Sequence, residues 1–351
     1  MEIKNHIKTN DKNSYLKSTV ESLQRIVDFL ISNNDSCSNQ GLLNGRMGLA
    51  IFFYQYYRYA GDKIYKDFAD RLIDEIYENI NSQISADFES GLMGIGWGIE
   101  YLVKNNFIEA ETDETLAEVD SIIYKSMIQS PVLICNSNDF FGYGLYFLSR
   151  LKIGGHYDKD LNNLIKKQIL IYLIDECERL LIYKRYIDFY IRALSLRTIN
   201  SLLFFLLEMH RLNLFPVKVT RLLNHMPKEI EISISMNNDQ VEYYVLENLM
   251  KSVYPLINID EYKDKYKGCI KLVTGILNGI SIGNKLLINI NSLLSWYKLM
   301  YSPYLFTNAF KVEFSENSSK ILNLSKQEDW DSWFSKININ SGLAGIGLDL
   351  L

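Results

Sequence analysis

The chain has 351 residues, 48% of them hydrophobic and 23% charged, with a formal net charge of −5. The charges are interspersed and no basic run occurs, which argues against a nucleic-acid-binding protein and against a binder of anionic lipid. The longest uncharged runs, such as Leu272 to Asn284 and Leu286 to Tyr297, stay under about 15 residues, short of the ~20 that span a bilayer. Met1-Glu2-Ile3-Lys4-Asn5-His6 holds no apolar signal core, so a cytoplasmic location is expected. Cys37, Cys135, Cys177 and Cys269 are scattered without a CxxC pair and read as reduced thiols.

The first predicted element opens at Gly41-Leu42-Leu43-Asn44-Gly45-Arg46-Met47-Gly48 and runs into the apolar stretch Leu49 to Tyr57. An amphipathic stretch follows. Tyr65, Phe68, Ala69, Leu72, Ile73, Ile76, Tyr77 and Ile80 recur every three or four residues, with Lys66, Asp67, Asp70, Arg71, Asp74 and Glu75 opposite. That is the period of a helix with one buried face. Ser90-Gly91-Leu92-Met93-Gly94-Ile95-Gly96-Trp97-Gly98 repeats the opening and leads into Ile99 to Val103. Leu116, Val119, Ile122, Ile123 and Met127 repeat the amphipathic partner. A worn copy, Phe140-Phe141-Gly142-Tyr143-Gly144-Leu145, precedes Leu161, Leu164, Ile165 and Ile169. The leading glycines Gly41, Gly91 and Gly142 stand 50 and 51 residues apart. A fixed period of this size marks a repeat architecture. Each repeat reads as a helical hairpin with one helix buried all round and one amphipathic helix outside. Glycine at the start of the buried helix lets the chain turn sharply and lets backbones approach closely. Hairpins stacked around an axis give two concentric rings of helices, so one all-α domain over residues 1–351 is expected. Only five prolines occur, in keeping with long helices.

Beyond residue 195 the pattern loosens. A fourth buried helix is predicted over Ile199 to Met209, where Asn200-Ser201 stands in for glycine, and later ones over Gly275 to Gly283 and Leu293 to Met300. Ile230, Ile232, Ile234 and Met236 alternate with Glu231, Ser233 and Ser235, then come Asn237-Asn238-Asp239 and Val241, Tyr243 and Val245. Period two around an Asn/Asp turn reads as a small β-hairpin near 229–245. The last copy of the glycine theme is Ser341-Gly342-Leu343-Ala344-Gly345-Ile346-Gly347.

These openings, Gly-Leu-Leu-Asn-Gly-Arg-Met-Gly, Ser-Gly-Leu-Met-Gly-Ile-Gly-Trp-Gly and Ser-Gly-Leu-Ala-Gly-Ile-Gly at a spacing of about 50 residues, resemble the lanthionine synthetase C-like family. The resemblance implies an α/α toroid of about seven helical hairpins. It makes Gly41, Gly45, Gly48, Gly91, Gly94, Gly96, Gly142, Gly144, Gly342, Gly345 and Gly347 the structural glycines. It also implies what the chain lacks. Enzymes of the family bind zinc through a cysteine in a Ser-Trp-Cys-Tyr-Gly-like segment and through the Cys-His pair of Cys-His-Gly-Leu-Ala-Gly. The metal activates a peptide thiol that adds to a dehydrated residue to form a thioether. Here Ser295-Trp296-Tyr297 matches the start of the first segment and Ser341-Gly342-Leu343-Ala344-Gly345 the end of the second. The three ligand positions are then Tyr297, Asn340 and Ser341, with Tyr297 and Asn340 separated by 43 residues. None is a usual zinc ligand. The chain also contains no His-Gly dipeptide, where the family keeps its catalytic histidine, and no arginine just before Ser295.

His6, His156, His210 and His225 and the four cysteines show no metal-ligand spacing, so neither a second zinc site nor any other cofactor is expected. Asp87, Glu89, Glu100, Asp139 and Asp349 fall at or near predicted inner-helix starts. They read as first-turn acids complementing helix dipoles, or as an acid/base pair facing a central cavity. The 24 Tyr, 17 Phe and 4 Trp read mainly as packing between helix layers. Trp330 and Trp333 lie in a predicted loop. The expected function is maturation of a ribosomally made peptide without zinc. The chain would bind the precursor or a modifying enzyme rather than form thioethers, with Trp296, Tyr297, Asn340 and Ser341 as candidate contacts. The alternative is a metal-free toroid enzyme acting on a glycan through cavity carboxylates.

Overall fold

A computed structural model describes residues 20–21, 23–43, 45–81, 84–129, 138–152, 160–182, 194–236 and 243–279. The described residues fall into two compact units, one within Met1–Ile80 and one within Asn81–Ile288.

In the first unit, α1 (residues 23–32) buries Leu23, Ile26, Val27 and Leu30, one stripe at helical spacing. Helix α2 (Arg46–Ala60) is buried on nearly every side, from Met47 through Tyr54 and at Tyr56. Gly61 ends it at φ 75°, the left-handed cap conformation in which glycine carries no Cβ penalty. Helix α3 (Lys63–Asn79) starts on Asp62, whose carboxylate accepts from the Ile64 N–H at 3.0 Å. It buries only Phe68, Ala69, Leu72 and Ile76. The pair is the predicted hairpin. Phe53 packs edge-on against Phe68 at 4.5 Å and Tyr56 against Tyr65 at 4.6 Å. The Tyr54 hydroxyl donates to Asp70 at 2.5 Å, and Arg46 pairs with Glu75 at 2.7 Å.

In the second unit the elements are α4 (Leu92–Lys104), α5 (Thr112–Thr115), α6 (Ala117–Gln129), α7 (Asn138–Arg150), α8 (Leu161–Leu181), α9 (Leu196–Arg211), α10 (Pro216–Met236), α11 (Tyr243–Ile257) and α12 (Asp260–Gly279). Helix α7 packs against α4, α8 and α9, α9 also meets α10 and α11, and α12 lies on α10 and α11. The described residues are thus all helical, and Gly-led buried helices pair with amphipathic ones as the unit of an α/α toroid requires.

Three expectations about elements meet the structure here. Helices α2, α4 and α7 begin within a few residues of Gly45, Gly94 and Gly142, and α9 covers the predicted Ile199 to Met209. The β-hairpin is corrected. Ile230, Ile232, Ile234 and Met236 belong to α10, and Tyr243 and Val245 to α11. Alternation lost to helical spacing because Val219, Leu222, Leu223, Met226, Ile230, Ser233 and Ile234 form one buried stripe, and that burial outweighs a local two-residue period. The buried helix opening at Gly275 is also corrected. Gly275 sits late in α12, exposed, with no atom within 4 Å of where a Cβ would be. The helix had already been started by Asp260 and Glu261 in its first turn. Leu293 to Met300 and the last glycine copy lie outside the described residues.

The first two glycine copies share one construction. Gly45 and Gly91 are the residues just before α2 and α4. In each copy the next N–H donates to a carbonyl seven residues earlier, Arg46 to Asn39 and Leu92 to Ser85, both at 2.9 Å. The returning loop therefore lies directly on the glycine. A Cβ on Gly45 would stand 2.5 Å from the Gly41 nitrogen and 2.6 Å from the Asn39 oxygen, and one on Gly91 would overlap the Ser85 oxygen. Gly91→Ala is therefore expected to lower stability by about 1–3 kcal/mol, since backbone must move to admit it. Gly275→Ala, on open helix surface, is expected to raise it by about 0.5–1 kcal/mol. Urea midpoints of the two variants beside the parent chain check both signs.

Candidate functional site

Helix α4 is apolar except for Glu100 and its last residue Lys104, and α7 carries Arg150 at its C-terminus. Glu100 and Arg150 are held in a cluster where α4, α5, α6, α7 and α8 meet, with the half-exposed Lys104 at its edge. The Arg150 side chain is 0% exposed. Its guanidinium grips Asp120 two-pronged, Nε to Oδ1 at 3.1 Å and Nη2 to Oδ2 at 2.8 Å. Nη1 pairs with Glu100, and Nη2 lies 3.3 Å from Asp113 Oδ1. Asp113 is bound in turn by Lys152 at 2.6 Å and Lys166 at 3.2 Å. Three carboxylates thus face Arg150, Lys152 and Lys166, so charge balances inside the cluster. Lys104 stands 3.8 Å from Glu100.

Helix ends explain why the charges sit here. Asp120 lies in the first turn of α6 and Arg150 in the last turn of α7, each of the sign that its helix dipole favours. Lys104 and Lys166 donate to the Ser149 and Arg150 carbonyls at the C-terminal end of α7. Tyr146, fully buried, donates its hydroxyl to Asp120 Oδ1 at 2.5 Å. Burial pushes the Tyr146 phenol well above its ordinary range, and the Asp120 charge adds to that. Burial alone would raise the Asp113 carboxyl, but the Lys152 and Lys166 ammoniums outweigh it and hold Asp113 below its ordinary value. Burial opposes the Arg150 charge, and Asp120 and Glu100 more than offset it. The cluster is a fully paired electrostatic joint, and its chemistry is cohesion rather than proton transfer.

This placement corrects the acids expected at inner-helix starts. Glu100 sits in the second half of α4 and is bound to Arg150. Asp87 does precede α4, where it accepts from the Ser90 N–H at 2.6 Å and from the Ser85 hydroxyl, shaping the loop that covers Gly91. Glu89 lies in the same turn. Asp139 belongs to α7, and Asp349 lies outside the described residues. The cluster itself was missed from sequence. Its one legible signal was Glu100 and Arg150, opposite charges on largely apolar helices, 50 residues apart.

Among the described residues no group of three His, Cys, Asp or Glu is placed to hold a metal ion. Cys37, Cys177 and Cys269 are buried, and burial pushes each thiol up, Cys269 to about 12. They are neutral core residues rather than nucleophiles. His210 packs edge-on to Tyr262 at 5.6 Å, and His225 lies 3.3 Å from Glu229. His6, His156 and Cys135 lie outside the described residues, as do Trp296, Tyr297, Asn340, Ser341, Gly342, Gly345, Gly347, Trp330 and Trp333. The aromatic residues of α2 and α4 are mostly core, with Phe52, Phe53, Tyr54, Tyr56 and Trp97 buried and Trp97 stacked on Tyr101 at 5.4 Å.

Arg150→Met leaves two inward carboxylates without their cation and is expected to cost about 3–5 kcal/mol. Arg150→Lys is expected to recover only part of this, because one ammonium cannot replace the fork. Because Asp113 titrates lower when folded, its contribution is complete above its unfolded value, near pH 4, and fades as pH falls through the folded value. Asp113→Asn is therefore expected to flatten stability against pH below about pH 4 and leave the slope above pH 5 unchanged. Urea titrations from pH 2.5 to 7 read both effects.

No helix among the described residues is long and apolar enough to cross a membrane. Neither a search of curated proteins nor one of solved structures gave a match. A family model described as lanthionine synthetase C-like protein matches residues 36–186. The match takes in α2 through α8, including the glycine copies at Gly41, Gly91 and Gly142 and the whole Arg150 cluster. Over residues 36–186, the stretch that carries the Gly-led helical hairpins, this chain is similar to the lanthionine synthetase C-like family.

Proposed function

We propose that this chain is a zinc-independent lanthionine synthetase C-like protein that serves maturation of a ribosomally synthesised peptide. In this reading it binds the precursor peptide or a peptide-modifying enzyme in the cytoplasm and forms no thioether itself. The observation that carries the reading is a contrast. The family match falls on the helical frame of residues 36–186, while beyond it the motif resemblance of Ser295-Trp296-Tyr297 and Ser341-Gly342-Leu343-Ala344-Gly345 would put Tyr297, Asn340 and Ser341 at the family's zinc-ligand positions. A phenol, an amide and a hydroxyl do not fit zinc, which takes thiolate, imidazole or carboxylate. That donor set cannot present an activated peptide thiolate in the family's way, so Trp296, Tyr297, Asn340 and Ser341 are left as contacts for a bound segment. On the glycan alternative, Glu100 and Asp87 are already engaged, one by Arg150 and the other by its own loop.

Three measurements test this. Metal analysis of dialysed protein is expected to find well below one zinc per chain. Incubation with a dehydrated precursor peptide and added zinc is expected to leave the peptide's free thiols unchanged by mass spectrometry after thiol alkylation. Calorimetry with the same peptide, or with the modifying enzyme, is expected to show binding that Tyr297→Ala weakens. Thioether formation at catalytic rates, or a stoichiometric zinc, overturns the reading.

A further inference from the structure

Helix α10 carries Pro227 in its interior. Proline has no N–H, so the carbonyl four residues earlier, that of Leu223, loses its helical donor. Leu223 is 0% exposed, and a buried carbonyl without a partner is costly. The structure supplies a donor from another helix. Tyr266 of α12, itself 0% exposed, directs its hydroxyl at the Leu223 oxygen at 2.6 Å. One turn farther along, the Cys269 thiol points at the Pro227 carbonyl at 3.7 Å. One turn earlier, the Tyr262 hydroxyl donates to Thr220 at 3.2 Å. Positions 262, 266 and 269 lie on one face of α12, and 220, 223 and 227 on one face of α10. The two helices therefore run parallel along a polar seam centred on the proline.

We propose that Pro227 is a hinge in α10 and that Tyr266 is its pin. The phenol takes the place of the missing N–H, so α10 keeps an unbroken path of hydrogen bonds only while α12 is docked. When α12 withdraws, the Leu223 carbonyl is stranded and the two halves of α10 part at Pro227. This couples the docking of α12 to the shape of α10, and it is independent of the functional reading above.

The test is amide hydrogen exchange on the full chain, read over peptides covering residues 220–231, in four proteins: parent, Tyr266→Phe, Pro227→Ala and the double variant. In the parent background Tyr266→Phe is expected to speed exchange about tenfold, the loss of one buried hydrogen bond. In the Pro227→Ala background it is expected to speed it by no more than about twofold, because the alanine N–H reaches Leu223. A ratio of the two effects above about threefold upholds the pin, and a smaller one overturns it and leaves Tyr266 as ordinary packing. Should Tyr266→Phe alone fail to fold, a folded double variant supports the pin, and failure of both counts against it.

Discussion

The charge of Arg150 is the constraint on which the arrangement of helices α4 to α8 depends. A guanidinium without solvent contact is tolerable only if every donor finds an acceptor. Here the acceptors come from three separate elements, α4, α5 and α6, and two lysines fix the third carboxylate from the other side. The cluster therefore ties one repeat to the next. It selects a single arrangement of helix ends rather than merely adding cohesion, because any other arrangement leaves a buried charge alone.

The glycines and this cluster belong to one construction. Gly96 on α4 faces Tyr146 on α7, and a Cβ there would stand 2.6 Å from the phenol ring. The missing side chain makes room for Tyr146, whose hydroxyl then holds Asp120, and Asp120 holds Arg150. Gly144 plays the same part toward α9, where a Cβ would meet the Phe205 ring at 2.7 Å. Small residues on one helix thus decide how closely the next can approach, and that approach decides which polar atoms meet.

The frame of the matched region rests on contacts that need no cofactor. What holds helices α4 to α8 is packing, loop hydrogen bonds and a charge-balanced joint among the described residues of 36–186. Nothing in that joint asks for a metal.

Local pattern alone determined the helical class, the repeat period and the hairpin unit, since apolar spacing and glycine position are properties of short segments. It also determined the donor chemistry at Tyr297, Asn340 and Ser341, because a side chain's ligand character does not depend on the fold. Tertiary structure decided the rest. The alternation from Ile230 to Met236 gave way to a helix because Val219, Leu222, Leu223 and Met226 continue its buried stripe. Glu100 passed from candidate acid to ion-pair partner because Arg150 reaches it from the next repeat. The partner of the carbonyl orphaned by Pro227 was settled only when α12 brought Tyr266 alongside. Each of these outcomes is set by which distant groups share a buried space, and a buried polar or charged atom takes its role from the partner that satisfies it.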